Sequence, residues 1–138
     1  MSLSFEGKRL VVVGGGSGIA RRIASDAYAE GAEVVLAGRN PDRTSEPGIR
    51  PAFADLGDES SLKALAAEVG ELDYLVTLAA APANGPVAEL DRNAVTRAFD
   101  AKVIGPIMMA KHFAPRFWEG GAIVLFSGVA AWRPTPGR

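Results

Sequence analysis

The residues best placed for chemistry lie in one short stretch, Gly14-Gly15-Gly16-Ser17-Gly18, between the apolar run Arg9–Val13 and a helical pattern that opens at Ile19-Ala20. Glycines let a backbone turn tightly and approach a charged group closely. A helix that begins inside such a turn adds unpaired N–H groups and the positive end of its dipole. Strand, glycine turn and helix in the first βαβ unit together predict a cradle for the diphosphate of a dinucleotide. Its expected contacts are Gly14, Gly16, Ser17, Gly18 and Ile19. The plainer alternative is a flexible turn with no ligand.

A second candidate follows the next apolar run, Glu33–Ala37. An acidic residue after that strand would take the ribose hydroxyls of NAD. Gly38 stands there instead, followed by Arg39, whose planar guanidinium suits the 2′-phosphate of NADP. NADP is therefore expected in preference to NAD, unless Arg39 is only a solvated loop residue. Arg43, further along the loop, reads as surface.

These residues need a scaffold that brings strand ends together, and the sequence supplies one. Strand patterns recur at Arg9–Val13, Glu33–Ala37, Arg50–Ala54, Leu72–Ala79 and Gly121–Ser127. Between them run helical patterns. The first carries Ile19, Ile23, Ala27 and Tyr28 and stops at Gly31. The second is capped by Asp58 or Ser60, buries Leu62, Leu65 and Val69, and ends at Gly70. The third is long, capped by Asp91, with Val95, Phe99, Val103 and Ile107 as its apolar line. Alternation of this kind predicts an α/β fold: a Rossmann-type, doubly wound parallel sheet in a three-layer αβα sandwich. Ligands bind such sheets beyond the carboxyl ends of the strands.

Composition narrows the function classes. The 138 residues are 48% hydrophobic and 22% charged, with a net charge of −1. That suits one folded domain and offers no basic field for nucleic acid or a membrane surface. Cysteine is absent, so disulfides and thiolate chemistry are excluded, and no metal constellation is apparent. The sole histidine, His112, sits late in the long helix beside Lys111 and reads as surface. The N-terminus lacks the pattern of a signal peptide and no stretch is long enough to span a membrane, so a cytoplasmic protein is expected.

Gly14-xxx-Gly18-x-Ala20 resembles the Gly-xxx-Gly-x-Gly turn of the short-chain dehydrogenase/reductase family, with Ala20 for the last glycine and Val13 for the usual preceding threonine. The resemblance runs from about Lys8 to Arg138, roughly the N-terminal half of a typical member, and makes residues 1–138 its NAD(P)-binding domain. It implies strand order 3-2-1-4-5. It also assigns Asp55-Leu56 to the adenine, where Asp55 would accept from the amino group; helix capping is the alternative role. Thr77-Leu78-Ala79-Ala80 stands where the family has Asn-Asn-Ala-Gly, leaving Ala79 and Ala80 to line the adenine ribose. Lys102 occupies the position of the family's active-site asparagine, which is associated with a helix irregularity. Pro106 cannot donate to the Lys102 carbonyl, so that carbonyl would stay available. Alternatively, Lys102 is a solvated helix lysine.

Alignment of the fifth strand puts Gly128 at the catalytic serine position and leaves Ser127 as a neighbour directed to the other face. The family's Tyr-xxx-Lys pair would fall after Arg138. The resemblance thus implies an NADP-dependent oxidoreductase acting on a carbonyl or alcohol, with a divergent or incomplete catalytic site in which Ser127 and Lys102 are the candidates. A non-catalytic NAD(P)-binding sensor or regulatory protein is the competing reading. A methyltransferase is disfavoured by Gly38-Arg39. An open fifth-strand edge predicts self-association into a homo-oligomer.

Overall fold

The computed structural model describes residues 4–128, 132, 133 and 136. It holds strands β1 (Arg9–Val13), β2 (Glu33–Gly38), β3 (Arg50–Phe53), β4 (Leu72–Thr77) and β5 (Phe117–Leu125). Helices are α1 (Gly18–Ala29), α2 (Glu59–Val69), α3 (Arg92–Phe99) and α4 (Gly105–Phe113). The strands form one parallel sheet ordered β3-β2-β1-β4-β5, the expected order.

Alternation along the central strands splits the core into two layers. Leu10, Val12, Val34, Leu36 and Val76 face α1, while Val11, Val13, Val35 and Leu75 face α2 and α4. Leu62, Leu65, Met109 and Phe113 close the second layer and are almost wholly buried. Each such side chain contributes about 1.5–3 kcal/mol by leaving water. This is the three-layer αβα sandwich.

Two helix faces differ from expectation. In α1 the buried residues are Ala20, Ala24 and Ala27, whereas Ile19 and Tyr28 are exposed. Small side chains let the helix lie close against the sheet. The long third helix is divided into α3, a π-helical segment Asp100–Ile104, and α4. Gly105 N–H donates to the carbonyl of Asp100, a wider turn that rotates the helix face. Phe99, Val103 and Ile107 face outward, and Ala101, Gly105, Met109 and Phe113 form the inner line. The irregularity falls where the resemblance placed it, around Lys102.

β5 begins at Phe117, earlier than the expected Gly121, and ends before Ser127. Its pairing with β4 shifts between Leu72 and Tyr74, which accommodates the extra residues around Gly120. Residues 129–131 of the expected serine-position segment, and Gly137, lie outside the described residues. Among the described residues no helix is long and apolar enough to cross a membrane.

Candidate nucleotide-binding site

The glycine turn is fastened to the sheet before it meets any ligand. Gly14 and Gly15 N–H groups donate to the Ala37 carbonyl at the end of β2, at 2.9 and 3.0 Å, and Leu78 N–H donates to Val13 at 2.8 Å. Gly14 has φ of 119°, and a Cβ there would lie 2.9 Å from the Ala79 nitrogen. Only glycine fits. Ser17 caps α1, its hydroxyl accepting from Ile19 N–H at 3.2 Å. The N–H groups of Gly16 and Gly18 have no described protein acceptor, and the first turn of α1 carries no acidic residue. The unused donor of Gly16, just before the helix start, suits a diphosphate.

This turn forms one wall of a cavity of about 750 Å³ at the carboxyl ends of the strands. Gly14, Gly16 and Ser17 line it, as do Arg39, Asp55, Leu56, Ala79 and Ala80. Of the expected contacts, Gly18 and Ile19 are not on its walls; Ile19 is 58% exposed at the head of α1.

Asp55 is held in a tight local frame. Its Oδ1 accepts from Gly57 N–H at 2.9 Å, and its own N–H and carbonyl both bond the Ser61 hydroxyl at 3.0 Å. The cap of α2 is Asp58, which accepts from Ser60 N–H at 3.0 Å, so Asp55 does not serve that role. Asp55 lines the cavity instead.

Three charged residues on the walls escaped sequence reading. Arg43, taken there for surface, joins Arg39 and Asn40 on the β2 side, while Arg97 and Asp100 reach the cavity from the α3 side. Their signal was present in the polar stripe of that helix. An apolar line of Val95, Phe99, Val103 and Ile107 predicts the opposite inner face, which puts Arg97 and Asp100 outward.

Lys102 and Ser127 separate from this cavity. Lys102 Nζ donates to the Phe126 carbonyl at 3.1 Å, tying the π segment to the chain after β5. Lys102 and Phe126 line a second, small cavity of about 20 Å³ with Thr77, Ala79, Ala101 and Pro106. Ala79 and Ala101 border both cavities. Ser127 is exposed and lines neither.

His112 Nε2 lies 2.9 Å from Glu59, which also accepts from Lys111 Nζ at 2.6 Å. The Lys111 and His112 hydrogen bonds hold the Glu59 carboxyl below the usual carboxylate range. This cluster joins α2 to α4, and His112 is a half-buried partner in it. No group of three or more metal-ligating side chains occurs among the described residues.

The short chain dehydrogenase family model matches residues 8–138. The chain belongs to the short-chain dehydrogenase/reductase family. Among its relatives, L-xylulose reductase of Homo sapiens is 32% identical over 80% of this chain and 48% of its own length. Carbonyl reductase [NADPH] 2 of Sus scrofa is 29% identical over 99% of this chain and 63% of its own length. A short-chain type dehydrogenase/reductase from Mycobacterium ulcerans superposes with a TM-score of 0.86 at 32% identity, covering 96% of this chain and 55% of that one. The chain thus spans about half to three-fifths of the length of these family members.

Proposed function

We propose that residues 1–138 form the NAD(P)-binding domain of an NADP-dependent oxidoreductase acting on a carbonyl or alcohol. One observation carries the cofactor reading: Gly38, Arg39 and Arg43 stand together on the wall where β2 ends, while Asp42, which lies between the two arginines in the chain, is not on that wall. A 2′-phosphate gains charge-assisted bonds there, and ribose hydroxyls gain no acidic partner. The printed name of the Sus scrofa relative, which includes NADPH, supports the same choice.

Gly14, Gly16 and Ser17 would hold the diphosphate, Asp55 and Leu56 the adenine, and Ala79 and Ala80 the adenine ribose. The nicotinamide would supply hydride transfer. Near the β4–β5 end, the Lys102 ammonium holds the Phe126 carbonyl and so fixes the segment that leads to Ser127 and Gly128. Lys102 and Ser127 are the candidates for assisting proton movement. Exposed apolar residues on β5 and on the outer face of α3 and α4 support a homo-oligomer. The test is NADPH oxidation by the purified protein against a panel of ketones and sugars. Turnover supports the oxidoreductase. Tight NADPH binding without turnover by a protein that carries the Tyr-xxx-Lys pair favours the sensor reading, which Gly128 at the serine position and Lys102 at the asparagine position also favour.

A further inference from the structure

We propose that Arg21 is a positioning residue for the phosphate-selecting wall of the cavity, holding the loop that carries Arg43 against α1. The proposal rests on the NADP reading and adds a residue that touches no part of the cavity.

Arg21 lies one turn into α1, and its N–H donates to the Ser17 carbonyl at 3.1 Å. Its side chain leaves the helix toward the loop between β2 and β3. There Nη2 donates to the Arg43 carbonyl, and Nε stands 3.7 Å from Glu46 Oε1. Arg43 closes a single 3-10 turn, Pro41–Thr44, through its N–H to the Asn40 carbonyl at 3.1 Å. Arg21 therefore grips that turn at its last part, on a residue that borders the cavity.

The far end of the loop is fixed independently. Ile49 N–H donates to the Glu46 carbonyl at 3.1 Å, and Ile49 is buried in the core layer with the alanines of α1. Gly48 packs so closely on α1 that a Cβ there would lie 2.2 Å from the Tyr28 hydroxyl. Between these points and β2, Arg21 supplies a side-chain tie from α1 to the turn. The glycine turn and the arginine loop thus share one helix as their common support.

A polar loop carrying a selecting charge binds its phosphate better when its conformation is already set. Removing Arg21 should leave the diphosphate cradle in place and loosen Arg43. Only a ligand with a 2′-phosphate senses that change. A forked guanidinium reaches a carbonyl and a carboxylate together, which an ammonium does less well.

The experiment is titration of NADPH and NADH into the intact protein and its variants, with melting curves as a check on folding. Arg43→Ala should weaken NADPH about three- to tenfold and leave NADH within about twofold. Arg21→Ala should weaken NADPH about threefold with the same selectivity, and Arg21→Lys should recover part of it. The double variant should match Arg43→Ala alone, because Arg21 acts through Arg43. Glu46→Gln, which leaves α1 intact, should shift the ratio in the same direction by less. Arg22→Ala should leave it unchanged, since that side chain pairs along the helix with Asp26 at 2.8 Å. A wild-type protein without preference overturns the NADP reading and this proposal together. A wild-type preference that survives Arg21→Ala, a loss shared equally by NADH, or losses that multiply in the double variant overturn the positioning role alone.

Discussion

β2 and β5 carry similar apolar runs, Val34-Val35-Leu36 and Ile123-Val124-Leu125, yet their surroundings are opposite. The first three are at most 2% exposed and the second three are 39–60% exposed. β2 lies between β1 and β3 with a helical layer on each face, while β5 is an edge paired only with β4. The difference separates two kinds of function. The cavity stands on covered strands and tight turns, so its geometry is supported by the core. Ser127 and Gly128 follow the bare strand, and their placement leans on the Lys102–Phe126 bond and on whatever contacts β5 makes.

The sharpest break in this contrast is Gly14→Ala. A side chain at φ 119° that must also displace the Ala79 backbone should cost about 2–3 kcal/mol and lower the melting temperature by roughly 5–10 °C. Nucleotide titration should show binding weakened by more than about tenfold. A normal melt with unchanged affinity would show that the turn is not tightly built.

At the other edge, Leu125→Lys should leave the melt and the cavity nearly unchanged, because Leu125 is 60% exposed. It should weaken self-association about tenfold in sedimentation velocity across a concentration series. Association unchanged by this charge would place the contact elsewhere.

The smallest expected effect is at the seam between the regions, where Glu59 on α2 meets Lys111 and His112 on α4. Its carboxyl is lowered in the folded state, so its contribution is present above the unfolded value and is lost as pH falls through the folded one. Lys111→Ala should raise the Glu59 titration midpoint in NMR and remove part of the acid-side loss of stability. An unmoved midpoint would mean that the lysine is not the dominant partner.

Much of the fold was legible because valine-rich runs and glycine stops mark strands and helix ends regardless of context. That Gly14, Gly16, Ser17, Arg39 and Asp55 share one cavity was legible because each follows the carboxyl end of a strand in a parallel sheet, where such sheets open a crevice. Helix faces were harder to read. In α1, larger side chains drew attention to Ile19 and Tyr28, but close packing on a sheet selects Ala20, Ala24 and Ala27. In the third helix, Phe99, Val103 and Ile107 form an apolar line that is exposed, so an inward reading of that line conceals Arg97 and Asp100 on the cavity wall. Arg43 reads as surface from its polar loop alone, and spacing does not display the hydrogen bond that joins its turn to Arg21 on α1.

Under the proposed function, the end of β2 selects a phosphate. Calorimetric titration of NADPH and NADH into the wild-type protein tests it most directly. One charge-assisted pair contributes about 1.5–3 kcal/mol, so NADPH should bind roughly ten- to a hundredfold more tightly. Gly38→Asp combined with Arg39→Ala should reverse that order. Equal affinities for the two cofactors in the wild type would contradict the account and return Arg39 to the solvated loop.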